Sequence, residues 1–270
     1  MPVLAYLNTM DIMLSRAAAP ESFRDAREDW FLHDESAARV RVRIGSYQGE
    51  RSRYGMNVAQ PGYQAYLADR AVELLGAGYD GLQLDNVETS TSYLPRYVGS
   101  YVSGLPVELD EAGWYAGEVA MLRAVRTTVK AAGYGDRVIL FNHIRAGEPE
   151  RALEYLAEAD GANSEGWMTA QVPLEDRWGW RSRVRLIEQA HAAAKRTNLL
   201  ALDDTPTEAE ALFCFVSYLM AYRDEGSTFW YGDLYRAESM RWYAFYEAKL
   251  GAPVAAMAEA STAGVFVRRF

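Results

Sequence analysis

The fold of this chain is predicted by the stretch Gly78-Tyr79-Asp80-Gly81-Leu82-Gln83-Leu84-Asp85-Asn86-Val87. Residues 79–84 are predicted to form one short buried strand, with two polar residues, Asp85 and Asn86, at its carboxyl end. In parallel α/β barrels the catalytic groups lie where strands end and the loops to the next helices begin. The simpler alternative is that Asp85 caps the next helix, but a cap accounts for neither Asn86 nor Glu88.

Helix and strand patterns alternate around this strand. The amphipathic run 63–75 predicts a helix that ends at Gly76-Ala77-Gly78. After a long polar and aromatic loop at 88–113, the pattern continues with predicted helices at 118–132, 149–159, 181–195 and 207–222, and predicted strands at 137–141, 160–165, 198–202 and 227–231. This alternation is typical of a parallel sheet with crossover helices. We predict an α/β protein, a (β/α)₈ TIM-type barrel over residues 1–250, with a short β-segment at 251–270.

The amino-terminal part of the chain fits the barrel less well. Residues 3–7 predict a strand with no earlier segment to pair with it. We therefore expect either an open barrel edge or self-association through this strand. Residues 29–34 and 39–44 predict a hairpin, and residues 54–58 predict the next inner strand.

Composition and charge exclude several classes of function. The net charge is −9 and there is no basic cluster, which argues against nucleic acid and anionic membranes as partners. No apolar run reaches the length of a membrane span, and there is no signal peptide. The single cysteine, Cys214, lies in an apolar run and predicts a buried thiol. No phosphate loop, dinucleotide fingerprint or nucleophile elbow is present, so we expect no cofactor.

Polar residues recur at the ends of the predicted strands, and parallel strands bring these ends to one face. Cleavage of a glycosidic bond needs two carboxyl groups, one to protonate the leaving oxygen and one to act as nucleophile or to activate water. Asp85 and Glu165 are the pair that we select. The candidates for holding sugar hydroxyls and sugar faces are Tyr6, Asn8, Asn86, Asn142, His143, Trp167, Asp203 and Trp230.

Alternatives to these assignments remain open. A hydrogen-bonded core histidine is the alternative for His143. Asp204 is expected to cap the following helix, while Asp203 keeps a role in the site. A metal at Asp203 and Asp204 is the alternative there, but no His or Cys spacing matches a metal motif, so we expect no metal.

The motif Tyr-Asp-Gly-Leu-Gln-Leu-Asp-Asn at residues 79–86 resembles a strand of TIM-barrel glycoside hydrolases related to the endo-α-1,4-polygalactosaminidase family. Residues 3–8, 163–165 and 264–270 are similar to that family's second strand, sixth strand and closing strand pair. The resemblance implies a nucleophile after the fourth strand, at Asp85, and an acid/base after the sixth, at Glu165. It also implies an extracellular or cell-envelope location. The family's first strand has no counterpart here.

The resulting expectation is a glycoside hydrolase that cleaves O-glycosidic bonds of a poly- or oligosaccharide. The resemblance and the two-strand spacing of the carboxyl groups favour a retaining mechanism, with Asp85 ionised and Glu165 protonated at rest. One alternative is a non-catalytic carbohydrate-binding barrel. Another is a different barrel enzyme, such as a lyase or a deacetylase.

Overall fold

The chain forms two compact units in the computed structural model, which describes residues 2–13, 27–44, 51–89, 109–142, 144, 147–169, 174–176, 179–202, 207–223, 226–232 and 241–270. The first unit comprises Met1–Asn142 and Ala157–Ala159, and the second comprises His143–Leu156 and Asp160–Phe270. No helix within the described ranges is both long and apolar enough to span a bilayer.

The described part of the first unit contains three parallel strands and two long helices. The strands are β1 (Leu4–Asn8), β5 (Gly81–Asp85) and β6 (Val138–Asn142), and the helices are α1 (Pro61–Gly76) and α2 (Glu111–Ala131). The strands pair in the order β1, β5, β6, and the helices follow β1 and β5 along the chain. The register places Asn8 directly beside Asp85, so the carboxyl ends of β1 and β5 are level.

Gly81, in the motif at residues 79–86, is required by the close packing of β5 against its two neighbouring strands. A Cβ atom at Gly81 would lie 2.8 Å from Leu4 Cδ2 and would also overlap the carbonyl of Val138. Any larger residue would therefore push β5 away from β1 and β6. The alternating residues Leu82 and Leu84 are fully buried, as the sequence predicted for this strand.

An antiparallel sheet occupies the connection between β1 and α1. Its strands are β2 (Asp11–Met13), β3 (Arg41–Ile44) and β4 (Arg51–Gly55), with β4 in the centre. The prediction of an inner barrel strand at residues 54–58 is therefore wrong. The charged sequence of β4 suits an antiparallel sheet, which can keep one face in water, better than a parallel strand covered on both faces.

The described part of the second unit also contains three parallel strands, β7 (Gly161–Glu165), β8 (Arg196–Leu202) and β9 (Ser227–Gly232), paired in that order. Its helices are α3 (Pro149–Glu158), α4 (Trp180–Ala192) and α5 (Glu208–Ala221). The last residues of α3 are counted with the first unit. Strand and helix thus alternate along the second unit as the sequence predicted.

A small hairpin of β10 (Ala258–Glu259) and β11 (Phe266–Val267) packs on the helices of the second unit. The Phe266 ring lies 4.8 Å from the Trp180 ring at the start of α4. The Arg268 guanidinium donates hydrogen bonds to the carbonyls of Leu219 and Met220, at 2.9 and 2.7 Å, in the last turn of α5. These carbonyls would otherwise lack helical partners, so the hairpin serves as the cap of α5.

Candidate active site

Asp85 is held by side chains from both neighbouring strands. Its Oδ1 accepts a hydrogen bond from Asn142 Nδ2 at 2.7 Å, and its Oδ2 accepts one from the Tyr6 hydroxyl. Tyr6 lies on β1 and Asn142 ends β6, so each flanking strand supplies one donor. Asn142 is 2% exposed and Tyr6 is 60% exposed. The carboxylate is therefore fixed from the core on one side and from a solvent-facing ring on the other.

The backbone of Asp85 is anchored as well. Its carbonyl oxygen accepts hydrogen bonds from the backbone N–H of Thr9 at 3.1 Å and from the Thr9 hydroxyl at 2.8 Å. Sequence reasoning missed Thr9, because a threonine just after a strand looks like any other loop residue. Only the register between β1 and β5 shows that it faces Asp85.

Two of the predicted sugar-binding asparagines shape the backbone next to Asp85. Asn8 Oδ1 accepts hydrogen bonds from the N–H groups of Met10 and Asp11, both at 3.1 Å, and so closes the turn that follows β1. Asn86 has a φ of 61° and is buried. Asparagine tolerates this left-handed conformation better than most residues, so Asn86 can turn the chain sharply after the carboxylate.

Glu165 ends β7 in the second unit, and its side chain is exposed. The chain reverses immediately afterwards through Gly166, which has a φ of 70°. Arg183 Nη1 donates a hydrogen bond to the Gly166 carbonyl at 3.0 Å and holds this turn against α4. The carboxyl group of Glu165 is thus presented at a strand end on a fixed turn.

The two predicted tryptophans have different environments. Trp167 is 1% exposed, and its Nε1 donates to the Cys214 carbonyl on α5 at 3.2 Å. No face of this ring is open to a sugar, so the geometry argues against the predicted stacking role. The turn at Gly166 directs Trp167 inward, which residue type alone could not show. Trp230, on β9, is only partly buried and lines an aromatic cavity.

Two further predicted residues, His143 and Asp203, lie outside the described residues. Within the described ranges, no group of three His, Cys, Asp or Glu side chains is arranged to hold a metal ion. Cys214, the single cysteine of the sequence, is buried, as its apolar run predicts.

Comparison with known proteins agrees with an enzyme that acts on glycosidic bonds. The sequence model of hypothetical glycosyl hydrolase family 15 matches residues 1–270. The chain belongs to this family. As a member of this family it is a glycoside hydrolase, and its substrate is a carbohydrate. No curated protein sequence matches the chain.

Solved structures with a fold similar to that of this family member include the glycoside hydrolase domain of another protein. The glycoside hydrolase domain of PelA from Pseudomonas aeruginosa is 17% identical, with a TM-score of 0.52 over 86% of this chain and 78% of that chain. Ega3 from Aspergillus fumigatus, in complex with galactosamine, is 10% identical, with a TM-score of 0.52 over 86% of this chain and 75% of that chain. At these identities the likeness concerns the fold, and it confirms the predicted α/β class of TIM type.

Proposed function

We propose that the protein hydrolyses O-glycosidic bonds of a poly- or oligosaccharide with Asp85 as nucleophile and Glu165 as general acid/base. The observation that carries this proposal is the pair of hydrogen bonds to Asp85 from Tyr6 and Asn142. Two donors aimed at one carboxylate at the end of a parallel strand hold it in a single orientation, as attack on an anomeric carbon requires.

The two carboxyl groups have different surroundings, which suits their different roles. Asp85 is partly buried and bonded through both oxygens, whereas Glu165 is exposed at its strand end. A nucleophile benefits from a fixed position, and an acid/base must reach the leaving oxygen and later a water molecule. In the proposed cycle Glu165 protonates the leaving oxygen while Asp85 forms the glycosyl-enzyme. Glu165 then takes a proton from the water that releases the sugar.

The experiment compares Asp85→Asn and Glu165→Gln with the parent on a glycan that the parent cleaves. Each substitution keeps the size of the side chain and removes one of the two reactive groups. We expect each to lower turnover by at least about 10²–10⁴-fold, the range for loss of acid/base catalysis. Near-normal turnover in either variant would exclude that residue from its role.

Two control variants each remove a carboxyl charge at a position outside the proposed catalytic pair. Asp80→Asn makes the same change just before β5, where Asp80 accepts a hydrogen bond from the Val3 N–H at 2.8 Å. Glu208→Gln makes the same change as Glu165→Gln at an exposed position in the first turn of α5. Both controls should retain activity. Glycan binding by the parent without any cleavage would contradict the proposal as a whole.

A further inference from the structure

The second unit contains an aromatic cavity of about 380 Å³. It lies beside β9, between α5 and the segment that carries a short 3₁₀ turn at Ala244–Glu247. Seven of the eight described residues that line it are aromatic, and the eighth is Arg241. Its volume falls within the range of roughly 300–1,000 Å³ that is usual for small-molecule sites.

The floor of the cavity consists of aromatic rings packed against one another. The Phe215 ring lies 5.0 Å from the Tyr246 ring and 5.7 Å from the Phe229 ring. The Tyr218 hydroxyl donates to the Ser227 carbonyl at 3.1 Å, which fixes that ring against β9. The shape of the floor is therefore set before any ligand enters, and binding needs little reordering of these side chains.

An exposed indole forms part of the wall. Trp242 is 73% exposed, yet its Nε1 donates to Glu247 Oε1 at 2.9 Å and its ring meets the Tyr246 ring edge-on at 5.4 Å. These two contacts hold the ring in place while a large part of it faces solvent. A held, exposed indole offers a flat surface to the apolar face of a ligand.

One charged group in the cavity defines the ligand further. The Tyr246 hydroxyl is enclosed, so the ring of Tyr246 rather than its hydroxyl lines the cavity. Arg241 is the one charged side chain among the described lining residues.

We propose that this cavity binds an acidic sugar residue, with its apolar face against Trp242 and its anionic group at Arg241. A sugar acid combines an apolar face with a charged group, which an aromatic wall beside one guanidinium matches. A guanidinium binds a carboxylate through two parallel hydrogen bonds. An amino sugar would bring an ammonium group to the same guanidinium and be repelled. This inference rests on the proposed function, from which it takes a carbohydrate as the ligand. It adds that the sugar is negatively charged.

The test measures binding without turnover, by calorimetry on the full chain carrying Asp85→Asn. Three sets of tetrasaccharides with the same linkage are compared, built from uronate, neutral hexose or hexosamine residues. The uronate set should bind about tenfold or more tightly than the hexosamine set, with an advantage that falls as salt rises. Arg241→Gln should remove most of that advantage and leave the neutral set unchanged. Trp242→Ala should weaken all three sets.

A control with the same change of charge is Arg196→Gln, at an exposed position that starts β8 in the same unit. It should keep the uronate preference. Equal binding of uronate and hexosamine, or a preference that survives Arg241→Gln, overturns the inference. Because hydrolysis is measured separately on the parent, such a result leaves the proposed reaction standing. Arg241-dependent binding by a parent that cleaves no glycan would instead refute the reaction alone.

Discussion

At the scale of single residues, the positions of the donors to Asp85 allow a direct test of what orients this carboxylate. Asn142 is buried at the end of β6 and donates to Oδ1 at 2.7 Å. A hydrogen bond to a charged group contributes about 1.5–3 kcal/mol. We expect Asn142→Ser to lower kcat by about 10–100-fold with little change in KM, because Asn142 is buried and bonds the carboxylate of Asp85.

A second variant at the same position makes the test sharper. Asn142→Asp keeps the shape of the side chain but replaces the donor with a second carboxyl group facing Asp85. It should reduce kcat more than Asn142→Ser does. Tyr6→Phe removes only the hydroxyl of an exposed ring and should have a smaller effect than either. Steady-state kinetics and thermal unfolding on the same preparations separate loss of orientation from loss of stability. A kcat for Asn142→Ser equal to that of the parent would contradict this role.

Glu118 offers a prediction about pH. It is fully buried on α2, and burial raises its pKa well above the usual value; the backbone of Glu88 opposes this shift and the Glu88 carboxyl group adds to it. Below about pH 4.3, both the folded and the unfolded chain hold this proton. As the pH rises further, only the folded chain keeps it, so its stability falls by up to about 1.4 kcal/mol per pH unit.

The variant Glu118→Gln should remove this part of the pH dependence. Urea unfolding at several values between pH 5 and pH 8 should show a flatter stability profile and higher stability at the upper end. Glu111→Gln, in the first turn of the same helix, serves as the control and should keep the slope of the parent. Parallel profiles for Glu118→Gln and the parent would show that Glu118 is not the group that titrates.

Single residues also show what the sequence could predict. The position of Asp85 at a strand end followed from the apolar run before it, since a buried strand ends where polar residues begin. The contrast between Trp167 and Trp230 could not be predicted in the same way. Trp167 follows strand β7 and Trp230 lies within strand β9. The φ of 70° at Gly166 directs Trp167 into the core. A backbone angle of one glycine is not encoded in hydrophobic periodicity.

At the scale of elements, the packing of α2 on the start of α1 depends on one glycine. A Cβ at Gly117 would lie 2.8 Å from Ala59 Cβ and 2.9 Å from the Ala59 backbone nitrogen. The same region is tied by Gln64, whose side chain donates to the Val58 carbonyl at 2.8 Å. Since backbone atoms cannot move aside without shifting α1, Gly117→Ala should destabilise the protein by about 1–3 kcal/mol.

Gly76→Ala is the matched control for this prediction. It adds the same methyl group at the last residue of α1, where the nearest atom, Tyr134 Oη, would lie 3.5 Å away in ordinary contact. It should be neutral or stabilise by up to about 1 kcal/mol, since alanine favours helices more than glycine does. The urea midpoints of unfolding measure the change in stability of both variants. Equal stabilities for the two would rule out the close approach at Gly117.

Gly117, together with Gly113, explains why the start of α2 was predicted wrongly. The sequence predicted a helix at 118–132, but α2 begins at Glu111. Asp110 caps it by accepting a hydrogen bond from the Gly113 N–H at 2.7 Å. Gly113 and Gly117 look like helix breakers in a sequence, and propensity is a weak guide where tertiary packing decides. By contrast α1, with Pro61 in its first turn and a glycine at its end, was located to within two residues.

At the scale of the whole molecule, alternating patterns predicted the α/β class because each crossover helix must cover a parallel strand. They did not predict two compact units with a boundary at Asn142 and His143. A boundary of this kind depends on which elements pack together, and the local composition there shows no linker. The division into residues 1–250 and 251–270 stays a prediction.

The stereochemistry of the product tests whether the two carboxyl groups act together as proposed. A retaining enzyme needs them about 5–5.5 Å apart, so that one attacks the anomeric carbon directly, whereas an inverting enzyme leaves roughly 6.5–9.5 Å for a water molecule. Asp85 is bonded through both oxygens and anchored by Thr9, which suits a nucleophile that must hold its position. We therefore expect the first product to keep the anomeric configuration of the substrate. Proton NMR during the first turnovers, before mutarotation, distinguishes the anomers. An inverted first product would make Asp85 a base that activates water. In that case, a strong external nucleophile such as azide should form no glycosyl adduct with the Glu165→Gln variant.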